Sequence, residues 1–179
     1  MKLQILRHAP ALTQGRLAGR TDVDADCSDQ NALAWIADRI DRSTQIVTSP
    51  AQRCRQTAGA LGFDNAPVDA RFWEQDFGTW EGLPYARLPD LGPLPVAQLA
   101  NHRPPGGESF HDMAERVQQA IEELATDSLL IAHAGTVRAA LALVVGPAAL
   151  SFSVAPLSLT VLRKSGRSWG VDFVNMTAT

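Results

Sequence analysis

The sequence predicts a three-layer α/β/α sandwich, in which a mostly parallel sheet carries helices on both faces. Three short runs support this fold: Leu3-Gln4-Ile5-Leu6, Gln45-Ile46-Val47-Thr48 and Leu129-Leu130-Ile131-Ala132. Near-continuous apolar runs of four or so residues suit strands buried on both faces. Stretches with apolar residues at helical spacing lie between and after them, the alternation expected of strands joined by crossover helices. At 179 residues the chain is most simply a single domain, 1–179. A chain of that size buries about two-thirds of its unfolded surface.

The first strand stops abruptly at Arg7-His8, and Ala9-Pro10 prevents its continuation because proline has no backbone donor for a ladder. Both polar side chains therefore stand at the carboxyl edge of the sheet, where open α/β sheets bind their ligands. A polar loop follows, Thr13-Gln14-Gly15-Arg16-Leu17-Ala18-Gly19-Arg20-Thr21-Asp22, which can bring Arg16 and Arg20 to that edge or leave them solvated. Ser28 or Asp29 can cap a helix whose apolar positions are Leu33, Ile36, Ala37 and Ile40.

Gln45 to Thr48 forms the second strand. Ser49-Pro50 closes it, with Pro50 suited to the first turn of a helix that runs to about Gly62. This puts a helix N-terminus at the carboxyl edge, with Arg53 in its first turn, and the orphan amides there favour an anion. The stretch Phe72-Trp73-Glu74-Gln75-Asp76-Phe77-Gly78-Thr79-Trp80-Glu81-Gly82 interleaves aromatics with carboxylates. A carboxyl held in apolar surroundings is suited to donate a proton. The pattern itself leaves Glu74, Asp76 and Glu81 as equal candidates.

From Leu83 to Pro105 six prolines and the lack of a period predict an irregular cap segment, about 83–105, over the mouth of the site. Ser109 or Glu108 then starts a helix with Met113, Val117, Ala120, Ile121 and Leu124 on one core face. The third strand ends in His133-Ala134-Gly135-Thr136, and a helix follows with Arg138 in its first turn and Val137, Leu141, Val144 and Val145 inward. Leu157 to Arg163 and Ser168 to Val174 close the sheet as a strand pair.

Composition narrows the function. With 45% hydrophobic residues, 20% charged residues and a net charge of −3, general attraction to nucleic acid or an anionic membrane is not expected. Cys27 and Cys54 have neither pairing nor metal spacing, no run approaches a membrane span, and no signal pattern opens the chain, so a cytoplasmic setting is the default. Against that negative background Arg7, Arg53, His8 and His133 form a local cationic cluster. Guanidinium forks and imidazoles suit the peripheral oxygens of a phosphoryl group. A Walker P-loop, a dinucleotide fingerprint, a His-Glu-x-x-His helix and a cysteine-phosphatase spacing are all missing. Flanking arginines would repel a cation, which argues against metal ligation by His8 and His133.

Five ordered motifs go further: Leu6-Arg7-His8-Ala9, Thr48-Ser49-Pro50-Ala51-Gln52-Arg53, Glu74-x-x-Phe77-Gly78-x-Trp80-Glu81-Gly82, Pro105-Gly106-Gly107-Glu108-Ser109 and His133-Ala134-Gly135. In these the chain resembles the histidine phosphatase superfamily, with its phosphoglycerate mutase-like fold, over nearly its whole length. Gly15-Arg16-x-x-Gly19-Arg20-Thr21-Asp22-Val23 and the brief proline-rich cap look most like the short bacterial branch that includes α-ribazole-5′-phosphate phosphatases.

The resemblance implies His8 as the nucleophile that becomes a phosphohistidine. Arg7, Arg53 and His133 would clamp the phosphoryl oxygens, and Glu74 would be the proton donor and later the base. It implies phosphate or substrate contacts from Gln14, Arg16, Arg20 and Ala134, a small-molecule phosphate ester as partner, and neither metal nor cofactor. Ala9, Ala11 and Gln14 depart from the family's usual Gly, Thr and Asn. Rival readings are a phosphoglycerate mutase-type phosphotransferase, a protein phosphohistidine phosphatase, and a phospho-ligand binding pseudo-enzyme. The oligomeric state is not legible.

Overall fold

The computed structural model describes residues 1–178. Five strands form one sheet in the order β2-β3-β1-β4-β5. They are β1 (Lys2–Arg7), β2 (Gln45–Thr48), β3 (Ser128–Ala132), β4 (Leu159–Ser165) and β5 (Ser168–Met176). β2, β3 and β1 pair in parallel, whereas β4 runs antiparallel to β1 and forms an antiparallel hairpin with β5. The sheet is therefore mixed in its pairing, not mostly parallel. Hairpin partners need only a short turn, and Ser165 and Ser168 flank a two-residue one.

The helices are α1 (Gln30–Ala37), α2 (Gln52–Ala60), α3 (Val96–Asn101), α4 (Phe110–Glu122) and α5 (Ala134–Val145). Strand alternation sorts the core. Leu3, Ile5, Leu130, Ala132 and Leu162 meet Met113, Val117 and Ile121 of α4 and Val137 and Leu141 of α5. Leu6, Leu129, Ile131, Leu159 and Val161 meet Leu33 and Ile36 of α1 and Cys54 and Ala58 of α2. Both faces of the central strands are thus dry, which explains their near-continuous apolar sequence.

Several expectations change in detail. Asp29 caps α1 by accepting from Ala32 N–H, and Ser109 caps α4 in a reciprocal box with Asp112. α2 starts after Pro50, with Ala51 at its cap position and no side-chain cap of its own. Arg138 lies in the second turn of α5 rather than the first, and Val144 and Val145 are exposed because the last turn has left the core. The cap segment is partly regular. Tyr85–Arg87 is a 3-10 turn, and α3 packs on α4 and on the 3-10 turn Gly146–Ser151.

Contrary to the expectation that no run approaches a membrane span, Ala134–Ser151 is long and apolar enough by length and composition. Its apolarity has another use here. Val137, Ala139, Ala140 and Leu141 are fully buried core, and the helical path changes at Gly146-Pro147.

Candidate active site

Register brings the polar strand ends together. Arg7 pairs with Ala132, and one step further His8 N–H donates to the Ala132 carbonyl at 2.9 Å. On the other side Ser49 N–H donates to Ile131 O at 3.0 Å. His8, His133 and Ser49 therefore lie in a row along the carboxyl edge. The imidazole rings of His8 and His133 meet edge to face with centroids 5.2 Å apart.

His8 is buried, and its Nδ1 lies 2.7 Å from the Ala9 carbonyl. A carbonyl only accepts, so Nδ1 carries the proton and Nε2 keeps its lone pair. Burial pushes the His8 pKa down to about 3; the Ala9 bond opposes this, and Arg53 and Arg7 reinforce it. The ring is therefore a neutral nucleophile at neutral pH. Thr57 fixes the turn behind it, accepting from Ala9 N–H at 2.9 Å and donating to the Arg53 carbonyl at 2.8 Å.

His133 is fully buried, and burial followed by repulsion from Arg53 and His8 holds its pKa well below the usual range. Ser49 Oγ sits 2.8 Å from its Nε2, and the Cys54 thiol lies 3.6 Å from Nε2 and 3.9 Å from Nδ1. Arg7 donates through Nη1 to Val154 O at 2.5 Å, and its Nε is buried with no partner. Burial lowers the pKa of this guanidinium, and Glu74 acts against that shift. Arg53, 1% exposed, donates to Gly19 O at 2.7 Å and Thr21 O at 3.1 Å. Its guanidinium thus reaches the polar loop from the first turn of α2.

The structure separates the three carboxylate candidates. Glu81 is consumed as a structural anchor, accepting from the N–H groups of Gly19, Arg20, Thr21 and Phe77 and from the Thr21 hydroxyl. Burial pushes its pKa up, but those bonds outweigh it and hold the carboxyl below its ordinary value. Asp76 caps a turn by accepting from Gly78 N–H at 2.8 Å. Glu74 alone is turned to the row of histidines, accepting from Gly135 N–H of α5 at 3.2 Å through Oε2.

The remaining phosphate-contact expectations fare differently. Ala134 opens α5 directly after His133, where an amide has no carbonyl partner within its helix. Gln14 is exposed with φ +52°. Arg16 is exposed and donates to Gly82 O at 2.8 Å. Arg20 lies over the Trp73 ring at 5.7 Å and 3.8 Å from Glu108. These three sit on the loop without being drawn into the histidine row.

The expected anion at the N-terminus of α2 is supplied by the chain itself: Asp22 accepts from Gln52 N–H at 2.7 Å. The site residues that sequence reading missed are the supports, namely Ser49, Thr57, Glu108 and Arg116. Only Ser49 and Glu108 fall inside recognisable motifs; Thr57 and Arg116 look like ordinary helix positions. Among the described residues, no cluster of three or more His, Cys, Asp or Glu side chains is arranged to hold a metal ion.

A family model described as the histidine phosphatase superfamily (branch 1) matches residues 3–177. A Mycobacterium tuberculosis protein described as bifunctional is 29% identical over 198 residues, covering 98% of this chain and 54% of that protein. The chain thus spans about half the length of the first curated relatives it matches. A glucosyl-3-phosphoglycerate phosphatase from Mycolicibacterium vanbaalenii is 29% identical over 167 residues, covering 81% of this chain and 74% of the relative. Among solved structures, a phosphoglycerate mutase from Thermus thermophilus superposes with a TM-score of 0.79 at 27% identity. That match covers 98% of this chain and 99% of the mutase.

Proposed function

The chain belongs to the histidine phosphatase superfamily, with an α/β fold of the phosphoglycerate mutase-like type, and on that premise we propose that it is a metal-independent phosphomonoesterase working through a phosphohistidine at His8. The observation that carries this reading is the geometry of His8, a buried ring whose Nδ1 is held on the Ala9 carbonyl so that Nε2 is left for attack, at a sheet edge that also carries Arg7, Arg53 and His133.

In the first half-reaction the Nε2 lone pair attacks phosphorus and the bond to the ester oxygen breaks. Protonated Glu74 gives its proton to that departing oxygen. Arg7, Arg53 and His133 hold the peripheral oxygens as charge moves, and one such preorganised donor is typically worth about 10²–10³ in rate. In the second half-reaction the Glu74 carboxylate takes a proton from water as the water oxygen attacks phosphorus. The N–P bond breaks, inorganic phosphate leaves, and His8 is neutral again. The arginines supply the positive charge that a metal would otherwise provide.

We read the chain as one domain with a cap at 83–105, a reading supported by β1 and the C-terminal β4 pairing at the sheet centre. Core clusters on opposite faces of the sheet support the three-layer arrangement. Two free cysteines, Cys27 and Cys54, support a reducing compartment such as the cytoplasm.

For the substrate we propose a small phosphorylated metabolite. The Gly15 to Val23 motif and the short cap support an α-ribazole 5′-phosphate-like ester, whereas the named mycobacterial relative supports a phosphorylated sugar acid. A panel compared by kcat/KM, with α-ribazole phosphate, glucosyl-3-phosphoglycerate, 3-phosphoglycerate and a phosphohistidine peptide, decides between them. The class of activity is tested with p-nitrophenyl phosphate. Turnover should survive EDTA, vanadate should inhibit it strongly as a five-coordinate mimic, and His8→Ala should abolish it with the fold intact. Activity lost in EDTA and restored by a divalent cation overturns the metal-independent mechanism.

A further inference from the structure

We propose that Arg116 is the positioning residue for Glu74, holding the acid-bearing segment where its carboxylate meets the N-terminus of α5. The proposal rests on the functional reading above, in which Glu74 handles the proton.

Glu74 lies between two 3-10 turns, Ala70–Phe72 and Gly78–Trp80, on backbone that belongs to no helix or strand. Such a segment has neither ladder nor helix to satisfy its carbonyls, so they need partners from elsewhere. Arg116 supplies them. Its Nη1 donates to Arg71 O at 2.6 Å and Trp73 O at 2.8 Å, and its Nη2 donates to Glu74 O at 3.1 Å. Its Nε donates to Glu108 Oε2 at 3.1 Å, and its Nη2 also pairs with Glu108 Oε1. A guanidinium has five N–H donors in one rigid plane. All five are used here, and three of them reach the main chain at or beside Glu74.

Glu108 completes the clamp. Its Oε1 accepts from Asp76 N–H at 3.0 Å, its own N–H donates to Asp76 O at 2.9 Å, and its carbonyl accepts from Gln75 Nε2 at 2.8 Å. Every residue from Trp73 to Asp76 is thereby tied to Arg116 or Glu108. Glu108 stands just before α4 and Arg116 lies within it. That helix has 13 residues, is capped by the Ser109–Asp112 box and is seated in the core by Met113, Val117 and Ile121. A site residue on irregular backbone thus inherits the rigidity of a helix. That precision matters, because a misplacement of about 1 Å at a reacting group can cost about 10²-fold in rate.

Neither residue touches the reacting atoms, so the test must separate positioning from simple stabilisation. Nitrophenolate leaves without a proton, whereas an alkoxide does not, and kcat/KM reads the first phosphoryl transfer. Wild type, Arg116→Ala, Arg116→Lys, Glu74→Gln and the Arg116→Ala/Glu74→Gln double variant are compared on p-nitrophenyl phosphate and glycerol 2-phosphate. General acid catalysis contributes about 10²–10⁴-fold. Arg116→Ala should therefore lose at least about tenfold more on the alkyl ester than on the aryl one. Arg116→Lys keeps the charge but not the fork, and should not restore the lost activity on the alkyl ester. Within the Glu74→Gln background, Arg116→Ala should cost little more on the alkyl ester.

Equal losses on both esters, or losses that multiply in the double variant, overturn the inference. If thermal melts show that Arg116→Ala does not fold, Glu108→Gln is read by the same two criteria, with a smaller ester-selective loss expected. A wild-type chain that hydrolyses neither ester overturns the functional reading and this inference with it. Activity on both esters with unselective Arg116 variants overturns the inference alone.

Discussion

A histidine that is to attack phosphorus, the role proposed for His8, has to be neutral, and burial favours the neutral ring. His8 and His133 are both withdrawn from water and flanked by guanidiniums, so each holds its pKa below the ordinary histidine value. This has a cost in acid. Between about 6.5 and about 3 the unfolded chain binds a proton at His8 that the folded chain refuses. The unfolded state then holds more protons, so stability falls as pH drops through that window, by up to ~1.4 kcal/mol per pH unit for each such group. His133 acts in the same direction. Urea midpoints measured at pH 7, 6 and 5 should decline, and His8→Asn should decline less steeply than wild type. Parallel declines in the two proteins would show that His8 titrates normally.

At the scale of elements, the N-terminus of α5 brings main chain directly against Glu74, the proposed acid. Glu74 lies so near Gly135 that an added Cβ would collide with its Oε1. Alanine is favoured over glycine in a helix by about 1 kcal/mol. Gly135→Ala should therefore leave the helix intact while pushing the carboxylate aside. The expected result is a preserved melting temperature with a loss of kcat/KM larger for alkyl than for aryl phosphates. A second glycine shows the same logic in the loop. A side chain at Gly19 would strike the Gln75 carbonyl, Phe77 and Glu81, so only glycine lets the Arg16–Thr21 loop lie against the acid segment. α2 shows a different economy, since its missing cap is supplied from that loop by Asp22.

At the scale of the molecule, the order β2-β3-β1-β4-β5 places the two histidine-bearing strands side by side and in register. Leu130 sits at the middle of that arrangement, fully buried, with Ile5 and Val47 as its neighbours across the sheet. Truncating a buried leucine typically costs about 2–5 kcal/mol through lost transfer energy and the cavity left behind. Leu130→Ala should shift the denaturation midpoint by that amount at unchanged slope, which marks a loss of stability without a change of compactness. A shift under about 1 kcal/mol would mean that the site relaxes to fill the cavity.

The sequence by itself determined the five strands and the helices α1, α2, α4 and α5, and it singled out the polar strand ends as candidates, because these signals are local. α3, inside the proline-rich cap, left no such signal. An apolar run broken by Arg7-His8 or His133 is legible wherever it stands, and Asp29 and Ser109 announce their helices before the chain folds. Ordered motifs carried the resemblance for the same reason. The tertiary structure decided what depends on distance between segments far apart in the chain. Glu74, Asp76 and Glu81 are chemically equivalent in sequence, and only the loop that closes on Glu81 and the helix that opens at Gly135 tell them apart. Arg116 reads as a surface position of an amphipathic helix until three carbonyls more than 40 residues earlier are brought to it. The antiparallel pairing of β4 with β1, too, was settled by packing, since the direction in which a strand joins the sheet leaves no mark on its apolar pattern.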